Sequence, residues 1–266
     1  MGTKVFKTVS VVVAVLAALI VIQQSLQAET IRMAWFAVPP HVTTADGGMP
    51  KGPSIDLFNK IAARMGCTVE WVGPYPISRV GQEQKAGKGS LDGTILHIRT
   101  AAVEPLLLYP RRAYFIARPC IAVRMDSPLK HISTIEDIRG FRIGFVKTLS
   151  LSYPPMITNN LDKVIIDDLT GENWTSRNLA RLLLGRIDAV YERNPYTLLY
   201  QAALDGIAGR IRVLELPDAP IAHYFVFHRN STKAEKLMRL YEKATAGMNF
   251  DYDAMVRSEI ERSKRK

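Results

Sequence analysis

The sequence predicts an α/β protein of two lobes joined by two crossing strands, with a cleft between them. Three observations predict it. Short apolar strands alternate with helical segments along the chain, the pattern of mainly parallel α/β units. Two extended, proline-marked passages, near residues 105–123 and 216–228, break that alternation and read as crossings. No sustained internal repeat and no long linker divides the chain in any other way.

Taken in order, Lys4 and Lys7 precede an almost wholly apolar run from Val9 to Ile22, followed by Leu26-Gln27-Ala28. A charged start, a short apolar stretch and a small residue at the cut make residues 1–28 a signal peptide, since the run is shorter than the ~20 residues a spanning helix needs. An uncleaved anchor is the other reading. Ile31–Ala37 is a strand stopped by Pro39-Pro40. Ser54 is expected to cap a helix whose Leu57, Phe58, Ile61, Ala62 and Met65 follow helical spacing, closed by Gly66. Strands are predicted at Thr68–Val72 and Leu91–Ile98, and extended chain at Leu106–Leu108 and Tyr114–Val123. Ser133 and Glu136 form a capping-box pattern for a short helix closed by Gly140. Phe141–Val146 and Val164–Ile166 are strands, Trp174–Leu184 a helix, and Asp188–Glu192, Arg212–Leu216 and His223–Phe227 strands. Thr232 and Glu235 repeat the capping box before a helix through Ala246, and a last helix covers about 251–262. The first lobe is then residues 29–122 together with 224–266, and the second is 123–223.

The chain carries 35 basic and 25 acidic residues, a net charge of +10. Its only dense basic cluster is the tail from Arg262 to Lys266, which reads as a solvated end. With export, this argues against a nucleic-acid partner. Cys67 and Cys120 are the only cysteines. They sit in separate parts of the predicted fold and are expected to remain free thiols. No cysteine or histidine spacing suits a metal, and no cofactor is expected.

Several segments, in order, resemble the extracellular solute-binding proteins of family 3, which serve polar amino-acid ABC importers. Gly52-Pro53-Ser54-Ile55-Asp56-Leu57 and the helix to Gly66 are similar to the family's "GFDVDLAKAIAKRLG". Gly89-Ser90-Leu91-Asp92-Gly93 resembles its "G-x-x-D", and Arg99-Thr100 with Leu106–Pro110 its "RTPER…Y/F" loop. Ile135–Gly144 resembles "LEDLKGKKVG", and Gly185-Arg186-Ile187-Asp188-Ala189-Val190 resembles "GRVDAV". The resemblance implies a periplasmic-binding-protein type II fold, a periplasmic monomer that captures a small ligand, and a partner that is an ABC permease in the inner membrane or a membrane sensor. It implies no catalysis, although some periplasmic dehydratases share the likeness.

The family's ligand hooks are altered. Valine stands at Val103, where the family's carboxylate-clamping arginine belongs, and Arg193 occupies the place of its acidic residue, with Glu192 one position early. A zwitterionic amino acid is therefore disfavoured, and an anionic or aromatic ligand is expected. The candidate ligand-binding residues are Trp35, Tyr75, His97, Arg99, Thr100, Lys147, Ser150, Glu192 and Arg193. Each has a plainer alternative: core packing for Trp35 and its neighbour Phe36, a surface turn for Arg99, helix capping for Thr100 and Ser150, and an ordinary satisfied histidine for His97.

Overall fold

A computed structural model describes residues 28–76, 90–146, 154–170 and 173–264. The signal segment up to Gln27, Gly89, Lys147, Ser150, Arg265 and Lys266 lie outside the described residues.

The chain opens with strand β1 (Glu29–Ala34), a small hairpin of β2 (Thr43–Thr44) and β3 (Pro50–Lys51), helix α1 (Pro53–Arg64), β4 (Cys67–Val72), β5 (Gly93–Ile98), β6 (Leu107–Leu108) and β7 (Phe115–Ala117). It continues through β8 (Cys120–Arg124), β9 (Arg142–Val146), α2 (Pro155–Thr158), β10 (Ile165–Leu169), α3 (Trp174–Leu183), β11 (Ala189–Glu192), α4 (Pro195–Leu204) and β12 (Ile211–Glu215). It returns through β13 (Ile221–His228), α5 (Ala234–Thr245) and α6 (Tyr252–Ser263). Two separate sheets result. The first runs β4-β1-β5-β13-β6, with β7 also on β13, and the second runs β10-β9-β11-β8-β12. The strand containing Thr68–Val72 is thus in one sheet and Ala189–Glu192 in the other. The chain passes between sheets at Arg118-Pro119 and again at Pro217–Pro220, so β8 lies wholly in the second sheet and β13 wholly in the first.

Each sheet buries its own apolar residues. In the first, Phe58 and Ile61 of α1, Leu237 and Tyr241 of α5, and Val256 of α6 cover Ile31, Met33, Ile95, Phe225 and Phe227. In the second, Ile143, Phe145 and Ile121 pack beneath Ile135 and Ile157 on one face, while Leu179, Leu182 and Leu198 cover Val190 and Ala122 on the other. Cys67 and Cys120 are buried free thiols, as expected.

Although no repeat shows in the sequence, the two sheets share one clasp. The Asp92 amide donates to the Arg32 carbonyl at 2.8 Å, and its Oδ2 accepts the Arg32 amide at 2.9 Å. The Asp188 amide donates to the Arg142 carbonyl at 2.8 Å, and its Oδ2 accepts the Arg142 amide at 2.8 Å. A glycine three residues earlier (Gly89, Gly185) accompanies each aspartate. Each aspartate therefore pins the start of one parallel strand to its neighbour. Asp92 is 5% exposed and also accepts the Ser231 hydroxyl at 2.6 Å, whereas Asp188 is exposed.

The helix-capping expectations need correction. Helix α1 begins at Pro53 with Gly52 as its cap, at φ 117. Ser54 is buried one position further in, and its hydroxyl is used by Tyr114 and Tyr252. The box over 133–136 is displaced by one: Asp137 Oδ2 accepts the amides of Ser133 and Thr134, while Glu136 pairs with Arg139 and Lys163. Helix α5 starts at Ala234, capped by Lys233 without a side-chain bond, and the Ser231 hydroxyl accepts the Lys233 amide. In all three places the expected cap residue is not the one that caps the helix.

Gly93 is required by the β5–β13 contact. A Cβ there would lie 2.2 Å from the Val226 carbonyl oxygen. Because backbone on both sides holds that spacing, Gly93→Ala is expected to destabilise the protein by ~3 kcal/mol, read as a lower urea midpoint with an unchanged slope. A midpoint equal to the wild type's would contradict this packing.

Candidate functional site

Strands β1, β4 and β5 run parallel, as do β9, β10 and β11. Their carboxyl ends, where open α/β sheets form binding crevices, carry the residues singled out from sequence. Trp35 and Phe36 follow β1, Tyr75 follows β4, and Arg99 and Thr100 follow β5. Lys147 and Ser150 follow β9, outside the described residues, and Glu192 ends β11 with Arg193 next. The two lobes meet just past the end of β11, where Asn194 Oδ1 lies 3.5 Å from His41 Nε2 of the first lobe.

Trp35 is only 1% exposed and belongs to the first core. Its carbonyl accepts the Tyr75 amide at 3.0 Å, and Gly73 passes directly against its ring. Its burial favours the core-packing reading over ligand contact, because the chain after β4 covers it. Phe36 and Tyr75 are half-buried and remain at the strand ends.

Strand β5 reaches the site through an irregularity. Leu96 has φ 52, and the β5–β13 register shifts between Tyr224 and Val226. A left-handed leucine costs roughly 1–2 kcal/mol and re-aims the strand end. Beyond it, His97 Nδ1 lies 2.8 Å from the Ile98 carbonyl and 3.0 Å from the Tyr109 hydroxyl. Burial lowers the basicity of His97, so at neutral pH it is a satisfied, uncharged ring. Arg99 pairs with Glu104 at 3.5 Å, and its guanidinium lies over the rings of Tyr109, at 4.8 Å, and Tyr224, at 5.7 Å. Its side chain is 46% exposed. Its charge is thus already balanced on the surface, which favours the turn reading. Thr100 is exposed, and its carbonyl closes the turn by accepting the amides of Val103 and Glu104.

The second lobe contributes a different electrostatic pair. Glu192 Oε1 accepts the Thr175 hydroxyl, in the first turn of α3, at 3.2 Å. Burial pushes its carboxyl up to about 7 against those hydrogen bonds and the nearby Arg193 charge. Arg193 is half-buried, and burial lowers its pKa while Tyr191 and Glu192 support its charge. With its carboxyl raised, Glu192 offsets less of the Arg193 charge near neutral pH than an ordinary carboxylate would. Among the described residues no group of three or more His, Cys, Asp or Glu is placed to hold a metal.

Sequence reasoning missed His223 and α4. Asn194 accepts the Thr197 amide as the cap of α4, and Pro195 is its first residue. Asn followed by Pro at a helix start was the available signal.

No protein-family model matches the chain, and no curated protein is significantly similar to it. Solved structures are similar. The second substrate-binding domain of Lactococcus lactis GlnP, in an open conformation, is 17% identical with TM-score 0.64, over 88% of this chain and 97% of that one. The periplasmic VFT2 domain of Bordetella pertussis BvgS is 19% identical with TM-score 0.64, over 90% and 95%. A reconstructed ancestral cationic amino-acid solute-binding protein is 20% identical with TM-score 0.67, over 90% and 99%. Together with the two sheets and their crossings, these likenesses show that the chain has the type II periplasmic-binding-protein fold.

Proposed function

We propose that the chain is an exported solute-binding protein whose two lobes close on a small anionic ligand and deliver it to an ABC permease. The observation that carries this reading is the pair Glu192–Arg193 at the carboxyl end of β11. Burial raises the Glu192 carboxyl and so weakens its charge beside the Arg193 guanidinium. A ligand carboxylate or phosphate would meet a donor capable of two charge-assisted bonds. The groups at the strand ends with acid–base chemistry are otherwise engaged: His97 with Ile98 and Tyr109, and Glu192 with Thr175. Export rests on the N-terminal segment. Among the described residues no helix is long and apolar enough to cross a membrane. The likeness to a BvgS periplasmic domain favours a second reading, in which the same closure signals to a membrane sensor.

A thermal-shift screen of the mature protein against amino acids, organic anions, polyamines and sugars tests the proposal. A bound anion at about a hundred times its Kd stabilises by ~2.7 kcal/mol, which raises Tm by roughly 5–10 °C. Arg193→Ala is expected to abolish that rise. Stabilisation by polyamines or zwitterionic amino acids, with none by any anion, contradicts it.

A further inference from the structure

Immediately after Arg193 the chain makes contacts across to the first lobe. Asn194 Oδ1 lies 3.5 Å from His41 Nε2. The Tyr196 hydroxyl donates to Asp253 of α6 at 2.8 Å, and Arg257 lies over the Tyr196 ring at 5.9 Å. Tyr196 is 6% exposed and belongs to the first lobe's core rather than the second's, with Tyr200 and Ala203 packed against the same cluster. Helix α4 is therefore covalently part of one lobe and packed into the other.

Behind His41 runs a buried chain of hydrogen-bonding side chains. The Tyr114 hydroxyl lies 3.2 Å from Ser54 Oγ. Ser54 Oγ is 2.6 Å from the Tyr252 hydroxyl, and that hydroxyl is 2.8 Å from His41 Nδ1. If Tyr252 donates to Nδ1, the His41 proton sits on Nε2 and points at Asn194. The His41 ring also stacks on Tyr252 and lies against Phe115, so it has little freedom to turn away.

We propose that Asn194 and Tyr196 form a fixed joint between the lobes, and that His41 and Asp253, which lie outside the cleft, are positioning residues for Glu192 and Arg193. The joint holds the carboxyl end of β11 at a set distance from the first lobe, where two flexible crossings alone would let it drift. Only the role of Glu192 and Arg193 rests on the function proposed above.

The test uses the full mature chain without ligand. Spin labels are placed by Asp46→Cys in the first lobe and Asp162→Cys in the second, both at exposed positions. Cys67 and Cys120 are buried and take no label. Tyr196→Phe and Asp253→Ala, which remove the donor and the acceptor of that bond, are each expected to broaden the inter-lobe distance distribution toward longer separations. The double variant should broaden it no further than either alone, because both delete the same bond. Tm is expected to stay within ~3 °C of the wild type. The Glu192 carboxyl, followed by carbon NMR, is expected to titrate at a shifted midpoint in both variants. Distance distributions that superimpose on the wild type's in both variants overturn the joint. Failure to find any ligand would bear on the proposed function and leave this measurement intact.

Discussion

Tm of the mature protein is expected to fall by about 10 °C between pH 7 and pH 5, far more than paired surface charges would produce. Burial, with the neighbouring His223, holds His41 down to about 3. Burial likewise holds His223 and His228 to about 4, with Arg193 and His97 adding to the depression at His223, and His97 at His228. All three are lower than in the unfolded chain. Their contribution to stability is complete above the unfolded value near 6.5 and is lost as pH falls toward the folded values. Each loses ~2 kcal/mol by pH 5, or roughly 6 together. Glu192 acts in the opposite sense. Its folded value of about 7 lies above the unfolded one, so its protonation on acidification returns ~2 kcal/mol. The net loss of ~4 kcal/mol is a large share of a typical folding free energy. His41→Gln, which keeps a donor toward Asn194, should remove about a third of the histidine loss. A Tm that stays level from pH 7 to pH 5 would show that these rings are not buried neutral.

Asp92→Ala is expected to cost ~3–5 kcal/mol, because a buried carboxylate with several partners is lost at once. The Arg32 amide and the Ser231 hydroxyl lose their acceptor, and Lys233 loses the partner at 3.4 Å. The parallel change Asp188→Ala removes the corresponding clasp in the second sheet. Asp188 is exposed, so water replaces it at the Arg142 amide, and ~1 kcal/mol is expected. Urea denaturation of the two variants measures the difference. Equal losses would contradict the view that burial, rather than the clasp itself, sets the cost.

The architecture was legible because it rests on coarse periodicity. Leu57, Phe58, Ile61 and Ala62 fall on one face of α1, and that spacing survives any detail of packing. The Gly-x-x-Asp pattern was legible at both Asp92 and Asp188, although its duplication emerged only as matching backbone bonds. Caps were less legible. Ser54, Ser133 and Thr232 all have the right chemistry, but Ser54 is drawn inward by Tyr114 and Tyr252, and the other two yield to Asp137 and Lys233. Helix α4 was missed because its apolar face is divided between two lobes, with Leu198 and Ala202 in one core and Tyr196 in the other, which blurs a single stripe. Trp35 and Arg99 follow strand ends, as any cleft residue would. What decides their fate is a glycine backbone at Gly73 and a carboxylate at Glu104, contacts that spacing cannot reveal. Glu192 was identified as a displaced hook, but its near-neutral titration depends on burial beside α3.

Calorimetric titration of the mature protein at pH 6 and pH 8, with and without Arg193→Ala, decides whether Arg193 holds an anionic ligand. A carboxylate or phosphate ligand should bind more tightly at pH 6, where Glu192 is mostly protonated, with proton uptake on binding and with affinity lost in the Arg193 variant. Micromolar binding of a common polar zwitterionic amino acid, unchanged by Arg193→Ala and by Arg99→Ala, would contradict the account.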